Sequence, residues 1–219
     1  MRVTKYLHSC LLVDNGAARL LIDPGRFTFV EGLVSPDDFG PLDAIALTHH
    51  HLDHADPDPL AAIVQRTGAP LLGNQQTADH LREQDLTVTV LDPGEHHIGG
   101  MRIEAIPADH EPVLADQTPA NTAYLIDGRI LHCGDSLHPA LFAHQGVDLL
   151  AVPVMAPYLT ERLVAGFIAQ LRPKAVLPLH DGYAKDFFVR QRYDTYRPYV
   201  ERLGITWHEL IEPGATATM

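Results

Sequence analysis

THHHLDHAD, residues 48–56, sets four histidines and two aspartates in nine positions. A solvated loop has no need of so many imidazoles. A core strand could bury them only with partners, because an unmatched buried charge costs several kcal/mol. The preceding DAIALT (43–48) reads as a short buried strand, so the cluster hangs from that strand's C-terminal end. Written as H-x-H-x-D-H it is His49, His51, Asp53 and His54. His49 and His51 stand two apart, so an extended backbone points both to one side. Asp53 and His54 follow where the chain turns. One pair can serve one metal ion and the other pair a second. Neutral imidazole and carboxylate suit zinc, iron and manganese.

Such a centre needs donors from elsewhere in the chain. His110 follows the strand MRIEAIPA (101–108), Asp135 follows ILHCG, and His180 ends KAVLPLH (174–180). Each stands at the C-terminal end of a strand, where residues distant in sequence converge. His80, His96, His97, His144 and His208 read as ordinary core or surface histidines, and His50 as an exposed spacer.

The rest of the sequence supplies a frame. Asn15-Gly16 sits between YLHSCLLVD and AARLLID, a hairpin signal, and DPG (23–25) ends the second strand. Helices are expected over 58–67, over 74–84 with Asn74 as N-cap, and over 160–171. A longer one over 185–203 is expected to break or kink near Pro198. Strands are expected at 86–91, at 148–154, and in a second hairpin over 122–135 turning at Asp127-Gly128; ITWHELI (205–211) closes the chain. Hairpins first and strand–helix alternation later fit an α/β protein. Two mixed sheets with helices outside make a four-layer αββα sandwich, read as one domain over 1–219.

Composition narrows the partners. The net charge of −12 disfavours nucleic acid or an anionic membrane. No apolar run approaches the roughly 20 residues of a membrane span, and the N-terminus lacks the apolar segment of a signal peptide. Cys10 and Cys133 sit in apolar strand-like surroundings, so they read as buried free thiols and the location as a reducing cytoplasm. Nothing in the sequence speaks against a homo-oligomer.

Taken in order, Asp23 in LIDPG, the H-x-H-x-D-H loop, His110, Asp135 in GDS and His180 in LPLHDG resemble the five motifs of the metallo-β-lactamase superfamily. The resemblance spans about residues 8–180. It implies two divalent ions, zinc by default with manganese or iron as alternatives. His49, His51 and His110 would hold the first, Asp53, His54 and His180 the second, with Asp135 bridging. Asp23 would orient the ligand loop.

The same resemblance implies hydrolysis by a hydroxide held between the two ions. Asp135 speaks against a zinc β-lactamase, in which no Asp ligand stands at that place. The H-H-H-x-D-H run resembles the glyoxalase II loop, but Ala55-Asp56 departs from it and no C-terminal helical domain follows. The chain is too short for the RNA-processing members. YLHSCLLVD and LPLHDGYAKD are most similar to the L-ascorbate-6-phosphate lactonase-like branch, although Leu7 stands where that branch has Gly. The expected substrate is therefore a small ester or lactone, an anionic one included. A phosphodiesterase or nuclease, or a metal-binding module without catalysis, are the alternatives. Asp53, His8 and His138 are candidate catalytic or proton-handling residues. Tyr158 is a candidate for the pocket wall, and Tyr183 and Lys185 for holding an anionic group.

Overall fold

The computed structural model describes all residues 1–219. In chain order the strands begin with β1 (Arg2–Lys5), β2 (Leu11–Asp14), β3 (Arg19–Ile22) and β4 (Ala44–Ala46). Helix α1 (Pro57–Thr67), strand β5 (Leu71–Gly73), helix α2 (Gln75–Arg82) and strand β6 (Val88–Val90) follow. The second half has β7 (Gly94–Ile98), β8 (Met101–Pro107), β9 (Thr122–Ile126), β10 (Ile130–His132) and β11 (Leu149–Pro153). It ends with α3 (Glu161–Leu171), β12 (Ala175–Leu179), α4 (Asp186–Arg202), β13 (Thr206–Trp207) and β14 (Ala215–Thr218).

One sheet has the order β14-β1-β2-β3-β4-β5-β6 and the other β13-β12-β11-β10-β9-β8-β7. Both are mixed: hairpin-built strands pair antiparallel, and those fed by crossovers pair parallel. The period-two alternation of side chains distributes them among three cores. Leu20 and Ile22 of β3 point between the sheets, while Leu21 points outward to meet Leu60 and Ile63 of α1 and Leu81 of α2. On the other sheet, Leu149 and Ala151 face inward, and Leu150 and Val152 face outward to Phe167 and Ile168 of α3 and Tyr193 and Tyr196 of α4. Each fully buried side chain of this kind stabilises the fold by about 1.5–3 kcal/mol. The layers are α, β, β, α.

Local signals act where expected. Asn74 Oδ1 caps α2 by accepting from Thr77 N, and Asp56 and Thr160 cap α1 and α3. The chain departs from the expected pattern in several places. Tyr6–Cys10 is a turn rather than strand, because His8 takes a left-handed backbone with φ +61°. The polar GEHHI forms β7, an edge strand whose pairing to β8 no apolar alternation announces. The small, polar ATAT pairs with β1 as β14. Helix α4 runs as one helix through Pro198, although the proline removes one backbone donor and crowds the carbonyl four residues back.

Candidate metal centre

The site sits where both sheets end. Asp23 follows β3, Thr48 to Ala55 follow β4, His110 follows β8, Asp135 follows β10, and His180 follows β12. His8 reaches in from the turn between β1 and β2. Asp23, His49 and His54 are fully buried, and His110, Asp135 and His180 nearly so.

Hydrogen bonds assign each imidazole a direction. Asp23 is the hub: its Oδ1 accepts from Thr48 N at 2.8 Å, and its Oδ2 accepts from Thr48 Oγ1 at 2.7 Å and His54 Nδ1 at 2.8 Å. Thr48 Oγ1, having donated to Asp23, accepts from His49 Nδ1 at 3.0 Å. His110 Nδ1 donates to the Glu111 carbonyl at 2.5 Å, and His180 Nδ1 to the Met155 carbonyl at 2.6 Å. Each of these four rings therefore turns its lone-pair nitrogen, Nε2, toward one centre.

The centre has the form of a divalent-ion site. His49, His51 and His110 bring donor atoms together, as do Asp53, His54, His180 and His8, while Asp135 groups with His49 and His54. His54 Nε2 lies 3.2 Å from Asp135 Oδ1, and His180 Nε2 lies 3.1 Å from Asp135 Oδ2 and 3.4 Å from Asp53 Oδ2. Nε2 of His54, His110 and His180 and Oδ1 of Asp135 are buried without a hydrogen-bond partner. Imidazole nitrogens and carboxylate oxygens converge here from four separate segments, and a shared cation is what such a set accommodates.

Electrostatics follows from the same crowding. Burial, with His54 beside it, holds His49 well below the usual histidine range. Burial and His180 push His8 down to about 4. Burial would likewise lower His180, but Asp135 and Asp53 outweigh it and raise it to about 9. The same carboxylates, with Asp23, raise His54. Asp53 and Asp135 stay ionised despite burial, because the surrounding imidazoles favour their charge.

His8 Nδ1 accepts from Gly182 N at 3.2 Å, so its Nε2 carries the proton and lies 3.1 Å from Asp53 Oδ2. His138 is not brought into the cluster. Its Nδ1 accepts from Ala140 N at 3.2 Å, an N-cap role for a short 3₁₀ turn. Tyr183 is half exposed with its ring against His8 and His180, and Lys185 is solvent-facing ahead of α4. His50, read as an exposed spacer, is half-buried against His80.

Several supporting residues gave no readable signal. Asn121, in the loop before β9, donates to the carbonyls of Ala108 and Cys133 at 3.0 Å each and accepts from Asp135 N at 3.1 Å. It ties the His110 loop to the Asp135 loop. Gly25 lets the ligand loop cross: a Cβ there would lie 2.1 Å from the Asp53 carbonyl carbon. DPG hinted at this glycine; nothing marked Asn121.

The centre opens into a cavity of about 740 Å³. Its floor is His51, Asp53, Asp135 and His180, and its walls are Pro112, Val113, Leu114, Pro157 and Tyr158. Tyr158 Oη donates to Asp135 Oδ2. Lysine and arginine are absent from this lining.

A family profile described as Beta-lactamase superfamily domain matches residues 2–180. Protein Rv0786c of Mycobacterium tuberculosis is 32% identical over 83% of this chain and 84% of its own length. UPF0173 protein PF0020 of Pyrococcus furiosus is 30% identical over the same shares, 83% and 84%. Other UPF0173 relatives bear the name metal-dependent hydrolase. The structure of Igni18, a metallo hydrolase from Ignicoccus hospitalis, superposes with a TM-score of 0.75 at 22% identity, covering 99% of this chain and 97% of that one.

Proposed function

The chain belongs to the metallo-β-lactamase superfamily and to its UPF0173 family and is a metal-dependent hydrolase; from that premise we propose that it hydrolyses a small, uncharged ester or lactone bearing an apolar substituent. The observation that carries the reading is the set of inward, unpartnered donors: Nε2 of His54, His110 and His180 with Oδ1 of Asp135. His49, His51 and His110 would hold one ion, Asp53, His54 and His180 a second, and Asp135 both. Zinc is the default, with manganese and iron suited to the same donors. Such ions supply, when bound, a hydroxide nucleophile at neutral pH and a positive field on the scissile carbonyl.

The remaining work falls to this chain's own groups. Asp23 and Thr48 hold His54 and His49 in one tautomer each. His8, both of whose nitrogens are engaged, orients Asp53 rather than meeting substrate. Tyr158 keeps its proton, since burial and Asp135 push the phenol far above its usual range. That one proton is donated to Asp135 Oδ2, so from the cavity wall the hydroxyl orients this carboxylate. Pro112, Val113, Leu114 and Pro157 shed water around an apolar substituent.

The cavity lining supports a neutral substrate better than an anionic one. Tyr183 and Lys185 do not line the cavity, and no lysine or arginine does. The same lining, with the net charge of −12, ranks a lactone or ester ahead of a phosphodiester. No helix is long and apolar enough to cross a membrane. Cys10 and Cys133, fully buried and unpaired, suit a reducing cytoplasm.

The test is a hydrolysis panel on zinc-, manganese- or iron-loaded protein, with His110→Ala as blank. It contains neutral lactones and esters of increasing acyl length, their carboxylated counterparts, a thioester, a lactam and an activated phosphodiester. Turnover of neutral esters that rises with acyl length and vanishes in the blank is expected. Turnover of the phosphodiester alone would replace this reading with the nuclease-like one. Metal uptake with no turnover would favour a binding module.

A further inference from the structure

Lys5 is a lysine at the end of β1 with only 1% of its surface exposed. Its Nζ lies 2.5 Å from Asp181 Oδ2 and 3.1 Å from Tyr193 Oη, and Tyr193 Oη donates to the same carboxylate oxygen. Asp181 is 5% exposed and Tyr193 not at all. An ion pair at this depth adds little net stability over apolar side chains of like volume, because desolvating two charges offsets their attraction. What it does supply is direction, since Asp181 Oδ2 takes both the Lys5 and the Tyr193 donors, while its Oδ1 is left without a partner.

The arrangement is tied to the centre through two short segments. Asp181 directly follows His180, and Lys5 stands three residues before His8. His180 N donates to the His8 carbonyl at 3.0 Å, Gly182 N donates to His8 Nδ1, and the two rings lie 4.0 Å apart between centroids. Both histidines sit in the left-handed region, His8 at φ +61° and His180 at φ +68°, which a non-glycine residue holds only when its surroundings impose it. The chain of contacts runs from Tyr193 in α4 through Asp181 and Lys5 to His180 and His8, and from His8 to Asp53.

We propose that the buried Lys5–Asp181–Tyr193 cluster is a positioning device for one half of the metal centre, setting the His180 and His8 rings against Asp53. The inference rests on the reading of His180 and Asp53 as metal-facing residues. None of the three cluster members touches the cavity, so they are positioning residues and not catalytic ones.

The experiment begins with metal-free protein, observing the imidazole ring signals by nitrogen–proton correlation NMR. The double variant Lys5→Met/Asp181→Leu removes both charges at similar volume, so the fold is expected to persist. Tyr193→Phe is the milder second variant, and Phe167→Leu, in the outer core under α3, is the control for general destabilisation. Each protein is then titrated with zinc against a chromophoric chelator.

The double variant is expected to shift or broaden the His8 and His180 ring signals while those of His49, His51 and His110 stay. One of the two zinc-binding steps should weaken by roughly 10- to 100-fold. Tyr193→Phe should move the same rings by less, and it decides the matter if the double variant does not fold. Phe167→Leu should lower the melting temperature and move neither ring. Unmoved rings in folded variants, or equal weakening of both zinc steps, would overturn the positioning role. Shifted rings in a protein whose wild type takes up no metal would uphold the positioning and overturn the hydrolase reading instead.

Discussion

Asp23 Oδ2 accepts the Nδ1 proton of His54 at 2.8 Å, with both side chains wholly buried. The same carboxylate takes the backbone and hydroxyl protons of Thr48, so it fixes two of the histidines around the centre at once. Asp23→Asn keeps the shape and removes the charge, and it leaves one buried N–H or lone pair mismatched. Metal affinity should fall by roughly 10- to 100-fold and stability by roughly 1–3 kcal/mol. Chelator competition and thermal melts measure the two effects, and unchanged metal affinity would refute the orienting role.

His110→Ala and Asp135→Ala should each abolish hydrolysis and leave a folded protein, since both residues stand in the loops just after their strands and belong to none of the hydrophobic cores. Circular dichroism checks the fold. Chelation should silence the wild type and a divalent ion should restore it. Full turnover in either variant would break the assignment of the centre.

The stability of the metal-free protein should pass through a maximum near pH 6.5. His8, pushed by burial and His180 down to about 4, refuses a proton that the unfolded chain accepts, so stability rises with pH between about 4 and 6.5. His50, lowered to about 4 by burial and His80, acts in the same direction. His180 does the opposite. Burial would lower it, but Asp135 and Asp53 raise it to about 9, so its contribution is complete below 6.5 and lost as pH climbs through 9. Melts in the presence of chelator should show an alkaline fall on the order of 5 °C. His54, buried but raised by Asp135, Asp23 and Asp53, adds to the same fall, so His180→Gln should reduce it and not abolish it; an undiminished fall in that variant would remove His180 from the account.

Gly25→Ala should cost at least about 1–3 kcal/mol, because the new methyl meets backbone it cannot displace. The clash is with the Asp53 carbonyl and with His54 N at 2.3 Å. The variant should also bind metal more weakly, since the displaced residues belong to the proposed second metal site. Gly16→Ala is the comparison, a glycine with φ +87° and nothing within 4 Å, where backbone strain acts alone and far from the centre.

The His/Asp cluster was legible because chemistry restricts a candidate metal site to such side chains and topology places them after strands. The sandwich was legible for a related reason: apolar runs such as RLLI and LLAVP alternate between two cores and need a layer on each side. Strands β7 and β14 were not legible, because GEHHI and ATAT pair through backbone bonds and bury little. Asn121 escaped for another reason. An asparagine that braces two loops through main-chain carbonyls looks, in sequence, like any loop asparagine. His138 was suggested by its nearness to Asp135 in sequence, yet three residues sufficed for its side chain to become a cap instead.

The spread of the centre along the chain sets an order of events during synthesis. His49, His51 and His110 are all present once residue 110 has been made, and they draw on strands of both sheets. His180 arrives 70 residues later, and it becomes fixed only when β12 docks beside β11 and its backbone finds His8, at the far end of the sequence. Contacts between such remote positions close slowly. A nascent chain therefore has a period in which three of these histidines have been made and His180, with the strand that carries it, has not.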